Sequence, residues 1–308
     1  MHDAWLLSGH CAHSFDCNLW MTGCSKCPDL TIPVPIERDN AAFNWRRKRK
    51  IYRRSKLYIA TPCKWLMDKV DHSILNQSER KVVPYGVNHI IFKPGDQVEA
   101  RKKFGIELDA FVMLFSANGI KKSRWKDYQL MRKAVELIAE RKTISKIIFL
   151  ALGETAPSEY IGDAEIRFMP FRPSPDEVAD FYRASDIYLH GAKADTFPNA
   201  ILEAVSCGLP VIATAVGGIP EQVRGLSAFG HETINRFGSD DATGILVPSG
   251  NAESFAAAIE HLAQNKSLRK TLSLNAVRDS HIRFSMERQI NTYLDWYKSA
   301  ITEKKKIA

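Results

Sequence analysis

No run of 18 or more apolar residues occurs in this 308-residue chain, so a membrane-spanning helix is not expected. Its first residues lack a charged stretch followed by an apolar one; no secretory leader is expected, and the cytoplasm is the default compartment. No Gly-x-Gly-x-x-Gly follows a strand-like run, and "AVGGIPE" (Ala215 to Glu221) has the wrong spacing, which argues against a dinucleotide oxidoreductase. Also missing are an Asp-x-Asp pair that could hold a metal beside a diphosphate, an internal repeat at solenoid periods, a low-complexity tract and the signature of a nucleic-acid module.

What is present in excess is positive charge, +8 overall, which favours anionic partners. Much of it lies in "RRKRKIYRRSK" (Arg46 to Lys56), either a solvated helical face or a patch that touches anionic lipid. Nucleic acid is not an expected partner. Four of the six cysteines cluster as Cys11, Cys17, Cys24 and Cys27, with His10 and His13 beside them. Spacing alone leaves zinc, reduced buried thiols and a disulfide all open, although the first pair is wider than a usual zinc knuckle. Cys63 and Cys207 read as core residues.

The length suggests two domains. "LYIA" (57 to 60) reads as a short strand, Thr61 and Pro62 as the cap and first-turn proline of the helix "CKWLMDKV", and "KVVPYGVNHIIFKPG" (81 to 95) as a domain junction. From there apolar strands alternate with helices. The strands are "FVMLFSA" (111 to 117), "KIIFLAL" (146 to 152), "DIYL" (186 to 189), "PVIAT" (210 to 214) and "GILV" (244 to 247); the helices between them include 127 to 141, 176 to 184 and 199 to 207. Strands apolar throughout imply a parallel sheet covered on both faces, hence a doubly wound α/β domain. Ligands of such sheets lie beyond the carboxyl ends of the strands, so the loops after Ala117, Leu152, Leu189 and Thr214 are where chemistry is expected. Two helices, 251 to 265 and 284 to 300, close the chain, with a third between them.

Helix 199 to 207 carries Ala200, Ile201, Leu202, Ala204 and Val205 around most of its circumference, and also Glu203. An ionised carboxylate in such surroundings costs several kcal/mol unless something pairs with it, either a neighbouring basic side chain or the hydroxyls of a ligand such as a ribose. Asn199 reads as the helix cap, and the free amides of a helix start favour phosphate. Asp195 precedes that helix start, where a carboxylate suits sugar hydroxyls.

The stretch "DTFPNAILEAVSCGLPVIATAVGGIPE" (Asp195 to Glu221) resembles the acid-x7-acid signature of retaining glycosyltransferases of family 4, which have the GT-B fold. "TPCKWL", "VVPYGVNHIIFKP", "FSANGIKKSRWKDYQLM", "DATGILVPSG" and "RFSMERQINTYLDWY" agree with it in order and spacing, so the resemblance covers nearly the whole chain. It implies an α/β protein with a partial amino-terminal Rossmann-like domain over 1–90, a complete nucleotide-sugar donor domain over 91–282, and a closing helix over 283–308 that packs back toward the first domain. By the same resemblance Glu203 binds ribose hydroxyls and Asp195 the transferred sugar. Lys126 and Arg124 meet the diphosphate, with Lys121 or Lys122 able to stand in for the arginine. Thr196, Phe197, Asn199 and Ala200 cradle diphosphate and sugar, and Phe171 walls the base pocket or packs in the core. His2 matches a histidine that reaches the donor sugar. Asp195 is one methylene shorter than the family's usual glutamate, and Pro198 replaces its usual glycine, removing one amide donor.

The implied activity is metal-independent transfer of a sugar, with retention, from a nucleotide diphosphate sugar to an acceptor hydroxyl. The acceptor would be lipid-linked or an oligosaccharide of surface or extracellular polysaccharide, reached by peripheral contact with an anionic membrane. Two alternatives stand beside it: a catalytically inactive nucleotide-sugar-binding fragment, and a zinc-containing nucleic-acid-binding protein.

Overall fold

The computed structural model describes the backbone of residues 1–307 and the side chains of residues 1–302. Two compact units are present, Met1–Pro84 and Tyr85–Ala308, and the division falls within the segment that proline and glycine interrupt. In the first unit, helices α1 (Ala41–Tyr52) and α2 (Lys64–Asp71) accompany a parallel pair of strands, β1 (Tyr58–Thr61) and β2 (Glu79–Val82). Leu7, Trp20, Trp45, Ile59, Met67 and Val70 form its core. Thr61 does not cap α2 as the sequence pattern predicts. It ends β1 and donates its hydroxyl to the Cys63 carbonyl, while Cys63 takes the cap position without a side-chain bond.

The second unit is built on nine strands: β3 (Phe111–Ser116), β4 (Ile147–Leu152), β5 (Glu159–Ile161), β6 (Ala164–Met169), β7 (Ile187–His190), β8 (Val211–Thr214), β9 (Gly225–Leu226), β10 (Asn235–Phe237) and β11 (Gly244–Val247). Their order across the sheet is β10-β9-β11-β8-β7-β3-β4-β6-β5, and β5 alone runs antiparallel to its neighbour. The helices are α3 (Gln97–Lys103), α4 (Tyr128–Arg141), α5 (Pro175–Ala184), α6 (Asn199–Ser206), α7 (Ile219–Gln222), α8 (Ala252–Gln264), α9 (Lys266–Arg283) and α10 (Met286–Ile307). Phe111, Met113 and Phe115 of β3 join α4 and α8 in one core. Val112 and Leu114 point by alternation to the other face and are also fully buried. Both faces of the sheet are therefore covered, as the uninterrupted apolar strands require.

The chain starts this sheet at its middle. It runs outward from β3 through β4 to β6, then returns to place β7 on the other flank of β3, pairing Met113 with Ile187 and Leu114 with Tyr188. This reversal is a topological switch point. The connections after β3 and β7 leave in opposite directions and open a crevice at the carboxyl edge of the sheet.

Candidate functional site

The two connections that flank the crevice are laced to each other. Asp127 N donates to Gly191 O at 2.9 Å and Lys193 N to Trp125 O at 2.7 Å, and Lys126 forms an isolated antiparallel bridge with Ala192. Gly191 permits this approach, because a Cβ there would lie 2.9 Å from Met131 Cγ and 3.0 Å from Asp127 O. Asp127 caps α4 by accepting from Leu130 N at 3.2 Å. On the far side Gly217, at φ +59°, lets the loop after β8 lie against Asp195; a Cβ there would overlap the Asp195 carbonyl oxygen. Gly218 N donates to Thr196 O at 3.0 Å. Residues 195 and 196 are thus positioned by three loops.

Within this frame Lys126 Nζ forms an ion pair with Asp195 Oδ2, each side chain 17 % exposed. His190, the last residue of β7 and fully buried, brings its Nε2 to 3.2 Å from the same carboxylate oxygen and 3.1 Å from Lys126 Nζ. A carboxylate only accepts, so the bond to Asp195 is that of the Nε2–H tautomer, in which the Lys126 ammonium is a second donor beside the ring and not its hydrogen-bond partner. The Tyr188 hydroxyl lies 3.4 Å from both His190 Nδ1 and Ser116 O. Burial works against ionisation of Asp195, but the His190 hydrogen bond and the Lys126 charge outweigh it and hold the carboxyl well below the usual carboxylate range. Burial, followed by the charge of Lys126, pushes His190 down to about 4.

Helix α6 begins beyond Pro198, and this corrects the expected cap. Pro198, extended at φ −65° and ψ 127°, occupies the cap position, Asn199 is the first helical residue, and no side chain caps the helix. Proline fixes the extended conformation that a cap residue adopts, so the asparagine is displaced by one position. The Pro198 carbonyl accepts from Ile201 N at 3.3 Å and Gln222 Nε2 at 3.0 Å. One turn on, Glu203 Oε2 accepts from the Tyr182 hydroxyl at 2.8 Å. Among the described residues Glu203 forms no ion pair, so the basic-partner alternative is not what the structure contains. Burial raises its pKa, with the Tyr182 hydrogen bond opposing.

The remaining candidates divide. Thr196 and Ala200 lie on the same loop and helix start. Asn199 is exposed. Phe197 is 4 % exposed, its ring edge-on to Tyr85 and Phe284, which commits its side chain to the core and leaves only its backbone toward a ligand. Arg124 is exposed and is not part of the Lys126–Asp195 pair. Lys121 pairs with Glu159 at 2.7 Å and lies over the Phe168 ring, so its ammonium is already engaged, and Lys122 is exposed. Phe171 is 67 % exposed, which rules out its core-packing reading. His2 lies in the first unit. Sequence reasoning missed His190 and Tyr182; the signal for His190 was its place at the carboxyl end of a buried strand. A cavity of about 460 Å³ in the second unit opens at the opposite edge of the sheet, against Arg101, Phe111, Asp186 and Arg269.

All six cysteines are free thiols, and Cys63 and Cys207 are buried. Burial raises the pKa of Cys11, Cys24 and Cys27, that of Cys24 to about 11. His10 Nε2 lies 3.2 Å from Cys27 Sγ. Among the described residues no three of His, Cys, Asp and Glu are disposed to hold a metal ion. No helix among the described residues is long and apolar enough to cross a membrane.

The sequence profile of "Glycosyl transferases group 1" matches residues 110–265. The chain is 32 % identical over 233 residues to a D-inositol 3-phosphate glycosyltransferase of Actinosynnema mirum, covering 71 % of this chain and 51 % of that protein. It is 29 % identical over 231 residues to D-inositol 3-phosphate glycosyltransferase 1 of Catenulispora acidiphila, covering 70 % and 50 %. The chain thus spans about half the length of these relatives. Its fold is similar to that of sucrose-phosphate synthase from Thermosynechococcus elongatus, with TM-score 0.64, 17 % identity and coverage of 87 % of this chain and 65 % of that one. It is also similar to Anabaena Alr3699/HepE in complex with UDP-glucose, with TM-score 0.62, 18 % identity and coverage of 83 % and 68 %. The fold is that of the GT-B glycosyltransferases.

Proposed function

Because the chain belongs to the group 1 glycosyl transferases, we propose that it binds a nucleotide diphosphate sugar at the switch point of its nine-stranded sheet and transfers the sugar to an acceptor hydroxyl, with retention. The observation that carries this reading is Glu203, a largely buried acid one turn into an uncapped helix, with a tyrosine hydroxyl as its partner and no cation among the described residues. Such a carboxylate is costly with one neutral donor and recovers that cost when ribose hydroxyls donate to it. Lys126 and the free amides of α6 then meet the diphosphate, and Asp195 takes hydroxyls of the sugar. Departure of the nucleoside diphosphate from an oxocarbenium-like centre develops charge on the leaving group, which in this reading Lys126 and the amides stabilise. His2 as a sugar contact, Phe171 as a wall of the base pocket and independence from metal belong to the same proposal.

The names of the relatives favour a phosphorylated cyclitol as acceptor, and the motif resemblance favours a lipid-linked or oligosaccharide acceptor of surface polysaccharide. Helix α1 supports peripheral contact with an anionic membrane from the cytoplasmic side: Arg46, Arg47, Arg49 and Lys50 are exposed together with Phe43 and Ile51. Sedimentation with phosphatidylglycerol vesicles, and not with phosphatidylcholine vesicles, is the expected result.

A thermal-shift panel of UDP, GDP, ADP and dTDP sugars tests the donor reading, with at least one expected to stabilise the protein. Donor hydrolysis and transfer are measured beside it. Binding with neither activity would favour a nucleotide-sugar-binding fragment without turnover, and no binding at all would remove the donor reading.

A further inference from the structure

We propose that His190 is a positioning residue: when the donor diphosphate draws Lys126 away from Asp195, the imidazole keeps that carboxylate in place for the sugar hydroxyls. The proposal rests on the reading of Lys126 as the diphosphate contact. Asp195 Oδ2 takes both donors, Lys126 Nζ and His190 Nε2, while Oδ1 has no partner among the described residues. One oxygen is held and the other is available.

The two donors differ in how easily a ligand can remove them. Lys126 ends a flexible four-carbon stem with three rotatable donors and is partly exposed, so an anion can compete for it. His190 cannot follow. It is fully buried at the end of β7, between β3 and β8. Its ring meets Phe115 of β3 edge-on, its carbonyl accepts from the Thr214 hydroxyl of β8 at 3.4 Å, and the Tyr188 hydroxyl lies 3.4 Å from Nδ1. The charged and titratable groups that face it are Lys126, Asp195 and Tyr188. Without His190 the ionised carboxylate, released by the lysine and repelled by the diphosphate, would rotate freely. With it, Asp195 stays fixed, and a fixed carboxylate is what a short acid in this place needs if it is to orient a sugar. In this role His190 touches neither sugar nor diphosphate and acts through Asp195, its contact with Lys126 being given up when the lysine moves.

The test compares nucleoside diphosphates with their sugars on the full chain. Binding of UDP, GDP, ADP and dTDP, and of UDP-glucose, GDP-mannose, ADP-glucose and dTDP-glucose, is measured for the wild type, His190→Phe and His190→Gln. Hydrolysis of the donor that binds is followed in parallel. His190→Phe is expected to bind the matching diphosphate within about threefold of the wild type but to hydrolyse the sugar donor at least tenfold more slowly. His190→Gln, whose amide N–H can still reach Asp195, is expected to recover most of that rate. Wild-type hydrolysis in the phenylalanine variant, or equal loss of diphosphate and sugar donor in both variants, would overturn the positioning role while leaving the donor site intact. Failure of the wild type to bind any of the eight compounds would instead overturn the donor reading itself, and this proposal with it. Should the phenylalanine variant not fold, the glutamine variant decides: its hydrolysis must stay within about threefold of the wild type.

Discussion

The loop after β7 and the helix it feeds carry one acid each, eight residues apart, and treat them in opposite ways. Asp195, on the loop, receives a lysine and a histidine, and its proton is held off far below the usual range. Glu203, on α6, receives one tyrosine hydroxyl, and burial keeps its proton on to higher pH than usual. The difference follows from the elements. A loop at the edge of the sheet can be reached by the neighbouring loop, which brings Lys126 to it. A helix ringed by Ile201, Leu202, Ala204 and Val205 admits no cation among the described residues. One acid draws a cation and a ring N–H from the protein, and the other a single neutral hydroxyl.

Replacing Glu203 should break this contrast most strongly. Glu203→Ala is expected to weaken the stabilising nucleotide sugar at least a hundredfold, about 2.7 kcal/mol or more, read as loss of its thermal shift. Glu203→Gln removes the buried charge and keeps an acceptor for Tyr182, so the ligand-free melting temperature should rise by about 2–4 °C, near 1 kcal/mol for a unit of this size. A retained ligand shift in the alanine variant would count against the ribose role, and a lower melting temperature in the glutamine variant would show that Glu203 is already satisfied.

The matching change on the loop should have the opposite signature. Asp195→Asn removes the counter-charge of Lys126 and is expected to destabilise the ligand-free protein by about 2 kcal/mol, discounted from the usual cost of breaking a buried pair because both side chains are partly exposed. With Lys126 released, the nucleoside diphosphate should bind as tightly as to the wild type or more so, while donor hydrolysis falls. Weaker diphosphate binding, measured by calorimetry, would place Lys126 outside the phosphate site.

Much of this was legible in the sequence. β3, β4, β7, β8 and β11 are apolar up to their last residue, with only Ser116, His190 and Thr214 polar at their ends, because helices cover both faces of the sheet, and that run is what a reader recognises. β6 was missed because "AEIRFM" buries alternate residues and points Glu165 and Arg167 outward, so it lacks the continuous apolar run. β5, β9 and β10 have three residues or fewer and carry no pattern. Asp195, Glu203 and Lys126 were readable as types in a spacing. Their partners were not: His190 and Tyr182 act through contacts made only when β7 and α5 pack beside α6 and α4, and one histidine in an apolar run has no periodicity to mark it. Asparagine favours the cap position, but Pro198, already fixed in the extended conformation a cap adopts, takes it and moves Asn199 into the first turn.

Acid should sharpen the loop side of the comparison. His190 is held near 4 against an unfolded value near 6.5, so the unfolded chain binds the extra proton first as pH falls. Stability present above about 6.5 is then lost as pH drops toward 4, by about 3 kcal/mol when the shift is complete. Urea unfolding of the wild type at pH 7 and pH 4.5 should show this slope, and His190→Gln should flatten it. Asp195 contributes in the same direction only below the ordinary carboxylate range, because its folded value is depressed, so the two effects separate along the pH axis.

The smallest effect belongs to Tyr182. Its hydroxyl donates to Glu203 at 2.8 Å and lies 3.3 Å from the Ala200 carbonyl, and burial keeps it protonated at any ordinary pH. Tyr182→Phe leaves the ring in the core and removes only the donor, a loss of about 1 kcal/mol. With the opposing hydrogen bond gone, Glu203 should hold its proton to still higher pH, so the pH above which a nucleotide sugar binds well should move upward. Ribose hydroxyls must donate to the ionised acid, which makes this shift a direct report on their contact with Glu203. An unchanged pH dependence of binding in Tyr182→Phe would mean that the ligand does not meet the carboxylate, whatever the alanine variant shows.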